Sequence, residues 1–236
     1  MTANTMRITS ADGIEFDAYV SRPAKLPAPA VIVIQEIFGV NEWMRSVADW
    51  LAQKGFLAVA PDLFFRQEPG VQLTDKTEAE WQKAFKLYEG FDEDKGVEDL
   101  IATLKAVRSM PDCNSTVGAL GFCLGGKLAY LMSTRSDSNA NVSYYGVGID
   151  KNLTETVRNP LILHIAEADP YVAHDAQSKI KERLSGNQLV TICIYEGMDH
   201  AFGRPGSQHY NREATELAHG RTLEFLESKL AAVPAI

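Results

Sequence analysis

The sequence predicts an α/β fold, with a mostly parallel central sheet covered by helices on both faces. Runs of apolar, β-branched residues alternate along the chain with amphipathic segments of helix length, a pattern that produces right-handed crossovers and a parallel sheet. Several runs are apolar at every position, as strands buried on both faces are. No internal repeat and no long linker interrupts the alternation, so we expect the 236 residues to form a single domain, 1–236.

The predicted elements can be placed in order along the chain. The first strand, over 13–21, alternates apolar and polar residues, as a half-solvated antiparallel strand does, and the second, over 30–34, is wholly apolar. After the second strand, apolar residues recur at a spacing of three and four, which predicts a first helix that ends at Gly55. The pattern predicts helices over 42–55, 78–90, 96–110, 124–134, 176–184 and 211–230, and further strands over 56–62, 116–122, 141–148, 160–169 and 189–195.

Charge and composition exclude several classes of protein. A net charge of −8 argues against nucleic acid or an acidic membrane surface as a partner, since both need a basic face. No apolar run reaches the roughly 18 residues of a membrane span, and the first residues do not resemble a secretory signal. The three cysteines fit neither a disulfide framework nor a metal pair; we expect Cys193 in a strand core and Cys113 in a loop. We expect a cytoplasmic protein without a metal, and a monomer.

A tight strand-to-helix turn is predicted at Cys123. The strand over 116–122 runs directly into the helix from 124, and Gly121 and Gly125 stand two residues away on either side of the cysteine. A nucleophile on so sharp a turn needs small neighbours, as in the nucleophile-elbow pattern G-x-S-x-G, here with cysteine in place of serine. The N-terminus of the helix favours the thiolate. The alternative is a buried cysteine at a glycine-rich turn, with or without a bound phosphate.

An acid and a histidine follow the cysteine in the chain order that such a triad requires. Asp169 lies at the carboxyl end of the strand segment over 160–169, and His200 follows the strand over 189–195. Ligands bind at the carboxyl ends of parallel strands, so we expect both side chains at the same edge as Cys123. Alternatively, Asp169 is a turn carboxylate and His200 a surface residue. His164 is predicted to be a buried strand residue with its hydrogen bonds satisfied.

This arrangement predicts covalent hydrolysis of an ester or lactone. His200 would take the thiol proton while Asp169 holds the imidazole, and Cys123 would attack the carbonyl to form a thioester that water cleaves. The oxyanion needs backbone donors. We expect one from Leu124, directly after the nucleophile, and one from Ile37, in the loop after an early strand.

Five ordered motifs, "QEIFGVN", "PDLF.RQ.PG", "GFCLGGKLA", "YYGVG" and "DHAFGR", resemble those of the dienelactone hydrolases (carboxymethylenebutenolidases), which are α/β-hydrolases with a cysteine nucleophile. The likeness runs from about residue 12 to the last helix. It implies an α/β-hydrolase fold, a triad of Cys123, Asp169 and His200, and hydrolysis of dienelactone to maleylacetate in the breakdown of aromatic compounds, without a cofactor.

The resemblance also gives Glu36 a role. In the family, the corresponding glutamate contacts the thiol, and substrate binding disturbs its pairing with an arginine, which here is Arg204. A carboxyl group in an apolar pocket holds its proton more tightly than one in water, so Glu36 would keep the Cys123 thiol neutral, and protected from oxidation, until substrate arrives. Otherwise Glu36 caps the following helix and Arg204 is a surface residue.

The substrate-binding residues depart from the family pattern. The resemblance assigns Phe38, Arg204 and two residues of the helix over 78–90 to substrate binding. Trp81 stands where the family has a second arginine that clamps the substrate carboxylate, and Phe85 replaces a usual tyrosine. Tryptophan cannot make a bidentate contact, so we expect weaker binding of dienelactone, or a bulkier or less charged substrate. The alternative is that Trp81 and Phe85 are ordinary core residues.

Two other functions remain open at this point. One is an esterase of the same fold that acts on a different or bulkier ester or lactone. The other is a non-catalytic protein that binds a ligand or senses redox state through the thiol at Cys123. An intact triad argues against the second, because a protein without turnover has no need of all three residues in order.

Overall fold

The computed structural model describes residues 4–231. Its contacts divide the chain into two compact units, which comprise residues 4–117 and 118–231 of the described part. Each unit consists of strands and helices that alternate along the chain. No helix within residues 4–231 is both long enough and apolar enough to cross a membrane.

The first unit contains four strands and three helices, and the beginning of a fifth strand. Strand β2 pairs antiparallel with β1 and with β4, whereas β3 pairs parallel with β4. The elements are β1 (Thr5–Thr9), β2 (Glu15–Ser21), β3 (Ala28–Ile34), α1 (Glu42–Gln53), β4 (Leu57–Pro61), α2 (Glu78–Glu89), α3 (Glu93–Arg108) and β5 (Cys113–Phe122).

The core of this unit lies around β3 and β4. All five residues of β4 are buried, and so are six of the seven residues of β3, because α1 and α3 both pack against these strands. Such burial on both faces accounts for the unbroken apolar runs in the sequence. Helix α1 is anchored at its start by the side chain of Asn41, which accepts a hydrogen bond from the Met44 N–H at 3.1 Å.

The second unit consists of parallel strands and the helices that connect them. From Gly118 onward β5 pairs with β6, β6 with β7 and β7 with β8, all parallel, and α4 and α6 pack against β6. The elements are α4 (Leu124–Arg135), β6 (Ala140–Tyr144), a 3-10 helix (Ile149–Asn152), β7 (Leu161–Ala166), α5 (His174–Leu184), β8 (Val190–Tyr195) and α6 (Arg212–Leu230).

The strands and helices confirm the predicted α/β class, although individual details differ from the prediction. Strand β1 is not among the predicted elements, because its five residues are short and partly polar. Cys113 was expected in a loop, but it is the buried first residue of β5. Cys193 lies in a strand as expected, yet it is only half-buried rather than core, because β8 is the outermost strand of its unit and has exposed residues such as Ile194.

Candidate active site

The turn at Cys123 is as sharp as the sequence predicts. Strand β5 ends at Phe122 and α4 begins at Leu124, so Cys123 alone makes the turn, with φ 56° and ψ −114°. A positive φ is uncommon for a residue with a side chain and has to be held in place by its surroundings. Here the Cys123 N–H donates to the Tyr144 carbonyl at 3.0 Å, and its carbonyl accepts the Lys127 N–H at 3.2 Å.

Glycines leave the space that this turn requires. A Cβ atom on Gly121 would overlap the backbone carbonyl of Gly125, four residues later. A Cβ atom on Gly126 would lie 2.5 Å from the Tyr144 carbonyl oxygen and 2.9 Å from the Gly146 Cα. The first turn of α4 therefore lies directly against the ends of β5 and β6, and larger residues would push it away.

The predicted acid and histidine meet beside this turn, within the second unit. The Nδ1 atom of His200 lies 2.7 Å from Oδ2 of Asp169, and the side chains are 12% and 1% exposed, respectively. The second carboxylate oxygen of Asp169 accepts the Tyr171 N–H at 2.8 Å. Because both oxygens have donors, the carboxylate is fixed in the orientation that directs Nε2 of His200 away from it.

The loops that carry these two residues are tied to each other. The Ala168 N–H donates to the Met198 carbonyl at 2.9 Å, and the Gly197 N–H donates to Oε2 of Glu167 at 2.9 Å. From α5, the buried amide of Gln177 donates to the carbonyls of Ala166, Glu167 and Val172 at 2.8 to 3.3 Å. These bonds fix the distance between Asp169 and His200.

His200 is within hydrogen-bonding reach of Cys123, and this contact controls its charge. Burial disfavours the protonated imidazole, but the negative charge of a Cys123 thiolate and the hydrogen bond to Asp169 outweigh burial and raise the pKa of His200 to about 10. The arrangement therefore favours a protonated imidazole beside the sulfur, which is the partner that a cysteine nucleophile requires.

Two tyrosines that sequence reasoning missed enclose the imidazole. The rings of Tyr145 and Tyr171 each lie 4.9 Å from the His200 ring, centroid to centroid, in edge contacts. Tyr145 is buried, and Tyr171 is 53% exposed. Tyr145 lies in the YYGVG motif but was assigned no role there, and the signal for Tyr171 is its position two residues after Asp169. Ring contacts of this kind hold the plane of the imidazole.

Two more predicted site residues belong to the second unit. Leu124 is the first residue of α4, where backbone N–H groups have no partner inside the helix. Arg204 is half-buried in the loop after His200, and its backbone N–H donates to the Ala201 carbonyl at 3.0 Å.

The other predicted site residues belong to the first unit. Glu36 and Ile37 follow β3 and are 2% and 6% exposed. The ring of Trp81 lies 5.0 Å from that of Phe38 and stacks on Phe85 at 5.5 Å, centroid to centroid. Phe85 is 40% exposed and Trp81 is partly exposed, so the view that both are ordinary core residues is wrong.

His164 has the structural role that its strand position predicts. It is 1% exposed, and its ring nitrogens lie 2.7 Å from the Tyr195 hydroxyl and 2.9 Å from the Thr222 hydroxyl. Burial, with the nearby charges of Arg221 and His219, lowers the pKa of His164 to about 3, so this imidazole is neutral at pH 7. Among residues 4–231, no group of three or more His, Cys, Asp or Glu residues is placed to hold a metal ion.

Solved structures of similar shape establish the class of the protein. A crystal structure from Klebsiella pneumoniae subsp. pneumoniae, provisionally assigned as a dienelactone hydrolase, has a TM-score of 0.80 and 27% sequence identity, over 94% of this chain and 97% of that one. The protein is an α/β-hydrolase, an enzyme that acts on carboxylic esters or lactones.

Sequence comparison identifies the family. The model of the dienelactone hydrolase family matches residues 16–230, so the chain belongs to that family. The carboxymethylenebutenolidase of Pseudomonas putida is 40% identical over 96% of this chain and 97% of its own length. A protein of Azospirillum brasilense, provisionally named a carboxymethylenebutenolidase, is 47% identical over 94% of this chain and 97% of its own length.

Proposed function

We propose that the enzyme hydrolyses a small lactone or ester, of the dienelactone-to-maleylacetate type, through a thioester on Cys123. The observation that carries the proposal is the chain of contacts from Cys123 through His200 to Asp169, on a strained turn at the start of a helix. The name carboxymethylenebutenolidase, which belongs to the Pseudomonas putida relative, supports the choice of substrate.

In the first half of the reaction the Cys123 thiolate attacks the lactone carbonyl carbon, and the carbonyl electrons move to the oxygen. The backbone N–H groups of Leu124 and Ile37 stabilise this oxyanion. When the carbonyl re-forms, the bond to the ring oxygen breaks, and the His200 imidazolium gives its proton to the leaving oxygen. The product of this step is a thioester on Cys123, with His200 neutral and its Nδ1–H still held by Asp169.

The second half releases the acid and restores the enzyme. His200 takes a proton from a water molecule, the resulting hydroxide attacks the thioester carbon, and the carbon–sulfur bond breaks. The sulfur leaves as a thiolate beside the protonated imidazole. One water is consumed for each lactone opened, and no cofactor takes part. The proposal includes a monomeric, cytoplasmic enzyme, in keeping with cysteines that form no disulfide in the described part of the chain.

Glu36 and Arg204 are proposed to control when the thiol ionises. Glu36 lies directly after β3 and is only 2% exposed, and such burial is rare for a glutamate without a specific role. The rate of alkylation of Cys123 by iodoacetamide, measured against pH with and without a substrate analogue, tests this control. We expect the analogue to accelerate alkylation, and to do so less in Glu36→Gln. Equal rates with and without the analogue would argue against it.

A second candidate function is hydrolysis of a bulkier or less charged ester. The stacked and partly exposed rings of Trp81 and Phe85 favour it, because an aromatic surface binds apolar groups and cannot replace a bidentate arginine. The ratio of kcat/KM for dienelactone to that for a neutral aryl ester separates the two candidates. If dienelactone is the substrate, Trp81→Arg should raise this ratio; if the aromatic surface binds an apolar ester, the wild type should prefer the aryl ester.

Replacement of the nucleophile tests the proposal as a whole. We expect Cys123→Ala to abolish hydrolysis and Cys123→Ser to retain a small part of it, since serine at this turn has a hydroxyl that His200 can deprotonate. Cys193→Ala, at a half-buried cysteine in β8, is the matched control and should keep full activity. Hydrolysis by Cys123→Ala at the wild-type rate would overturn the proposal, and no turnover of any ester by the wild type would favour a binding protein.

A further inference from the structure

His209 is a second histidine in the loop that carries His200, and no step of the proposed reaction uses it. Its Nδ1 atom lies 2.9 Å from Oδ2 of Asp199, and the two side chains are 37% and 33% exposed. The other oxygen of the same carboxylate, Oδ1, accepts the backbone N–H of His200 at 2.6 Å. Asp199 therefore connects the backbone of His200 to the side chain of His209.

The hydrogen bonds of His209 indicate which ring nitrogen donates to Asp199. Its Nε2 atom lies 2.9 Å from the side-chain nitrogen of Gln208, and an amide nitrogen can only donate. Nε2 therefore accepts, and the proton of the neutral ring is on Nδ1, where it is donated to Asp199. The backbone N–H of His209 donates to the Ser207 hydroxyl at 3.2 Å, which holds the imidazole towards Asp199.

The backbone beside His200 needs such support. Ala201, the next residue, has a φ of 61°, a left-handed conformation that is unfavourable for alanine and persists only where several contacts enforce it. The Phe202 N–H donates to the Asp199 carbonyl at 3.3 Å, and the Asn211 N–H donates to the Phe202 carbonyl at 3.0 Å. These bonds close the loop, and the pair of Asp199 and His209 joins its two ends through side chains.

We propose that His209 is a positioning residue, which holds the Asp199 carboxylate in place. The backbone at Ala201 thereby keeps its left-handed conformation, and the His200 imidazole stays within hydrogen-bonding reach of Cys123. This inference rests on the proposed role of His200 as the base. A small rotation of the His200 backbone would move the ring nitrogen away from the sulfur, and proton transfer is sensitive to such displacements. The motifs that resemble the family contain no signal for His209, because they end at Arg204.

Two replacements of His209 distinguish the loss of the hydrogen bond to Asp199 from a mere change in side-chain size. In His209→Asn the side-chain nitrogen occupies the place of Nδ1 and can still donate to Asp199, whereas in His209→Gln the nitrogen occupies the place of Nε2 and the donor is lost. We expect His209→Gln to lower kcat roughly threefold to tenfold, the range that one net hydrogen bond represents, with KM within about twofold. His209→Asn should remain close to wild type. His174→Gln, at an exposed histidine at the start of α5, is the control.

A measurement without substrate separates failure of this inference from failure of the proposed function. NMR titration of the His200 ring, identified by its absence in His200→Asn, should give a lower midpoint in His209→Gln than in wild type or His209→Asn, because the imidazole loses part of its contact with the thiolate. If His209→Gln matched wild type in kcat and in this titration, the inference would be wrong. A wild type that hydrolyses no ester would refute the proposed function, while the titration still tests the loop.

Discussion

Protonation of the His200 ring connects the geometry at Cys123 to its chemistry. The sulfur and Asp169 both interact with the imidazole, and both stabilise its charged form against the cost of burial. Of the interactions that favour the charged imidazole, the one with the negative charge of Cys123 is the largest, so the charge on His200 reports on the sulfur.

Removal of the sulfur should therefore change the titration of His200. We expect Cys123→Ala to lower the pKa of His200 from about 10, since Asp169 alone then opposes burial. The measurement is NMR titration of the ring protons in the two proteins. A midpoint that stays near pH 10 without the sulfur would show that Cys123 and His200 do not interact as the structure indicates.

Asp169 holds the imidazole in place, and its replacement should affect turnover more than binding. In Asp169→Asn the amide retains an oxygen for the Tyr171 N–H, but it presents a neutral group to His200. We expect kcat to fall on the order of 100-fold or more, with a much smaller change in KM, in steady-state hydrolysis of an aryl ester. A fall confined to KM would assign Asp169 to substrate binding instead.

The proximity of the three residues of the proposed triad follows from sequence rules, whereas the residues that surround them do not. Cys123, Asp169 and His200 each follow the end of a predicted strand, and parallel strands end at a common edge. Tyr145, Tyr171 and His209 lie near His200 only because particular loops fold as they do, for example through the left-handed conformation at Ala201. No spacing rule specifies such loop conformations.

At the scale of single elements, the turn between β5 and α4 leaves no space for added atoms. Gly121 lies in contact with the carbonyl of Gly125, so even one methyl group would force the strand and the helix apart. Both glycines were predicted from the elbow pattern. The contact of Gly126 with the end of β6 was not, because it depends on how closely α4 packs on that strand.

Gly121→Ala should damage both stability and activity. The added methyl group has to displace backbone, which typically costs about 1 to 3 kcal/mol, and the displaced turn would move the sulfur from His200. Chemical denaturation and ester hydrolysis measure the two effects. Gly186→Ala is the control, because a Cβ atom there would meet nothing within 4 Å. Equal behaviour of the two variants would contradict the tight turn.

Helix α5 supports the loop of Asp169 through a single amide. Replacement of Gln177 by Met leaves the carbonyls of Ala166, Glu167 and Val172 without this donor, and a buried acceptor that loses its donor costs about 1 to 3 kcal/mol. We expect Gln177→Met to lower both the free energy of unfolding and kcat. Ser178→Ala, at the exposed neighbour, should change the free energy of unfolding by less than about 0.5 kcal/mol. A stable and fully active Gln177→Met would show that the loop needs no such support.

At the scale of the whole molecule, hydrophobic pattern was sufficient to predict the fold class. Strands β3 and β4 are apolar throughout because both faces are covered, and the helices that follow them have one apolar face. The hydrophobic pattern is weakest in strands β1 and β8, which are only partly buried. There the sequence signal fades because fewer residues contact the core.

Buried histidines should make the folded protein sensitive to mild acid. Burial lowers the pKa of His164 to about 3 and that of His219 to about 4, while both return to about 6.5 on unfolding. The unfolded chain thus binds more protons than the folded one below pH 6.5. The free energy of unfolding therefore decreases as the pH is lowered through that range. We expect a loss on the order of a few kcal/mol between pH 6.5 and pH 4.5, measured by urea unfolding. His200, with its raised pKa, contributes stability that is present below about pH 6.5 and is lost as the pH rises towards 10.

A matched variant identifies the residue responsible for this acid sensitivity. His164→Gln keeps side-chain polarity but has no group that titrates between pH 4.5 and pH 6.5, so its unfolding free energy should depend less on pH over that range than that of the wild type. An equal pH dependence in the two proteins would contradict the burial of a neutral His164.

The acyl-enzyme itself provides the most direct test of the chemistry proposed for Cys123. An ester that acylates quickly and is hydrolysed slowly is mixed with the enzyme, the reaction is quenched in acid, and peptides are analysed by mass spectrometry. We expect the acyl group as a thioester on the peptide that contains Cys123, and no acylated peptide from Cys123→Ala. Acylation of a different residue, at a rate that matches turnover, would contradict the assignment of Cys123 as the nucleophile.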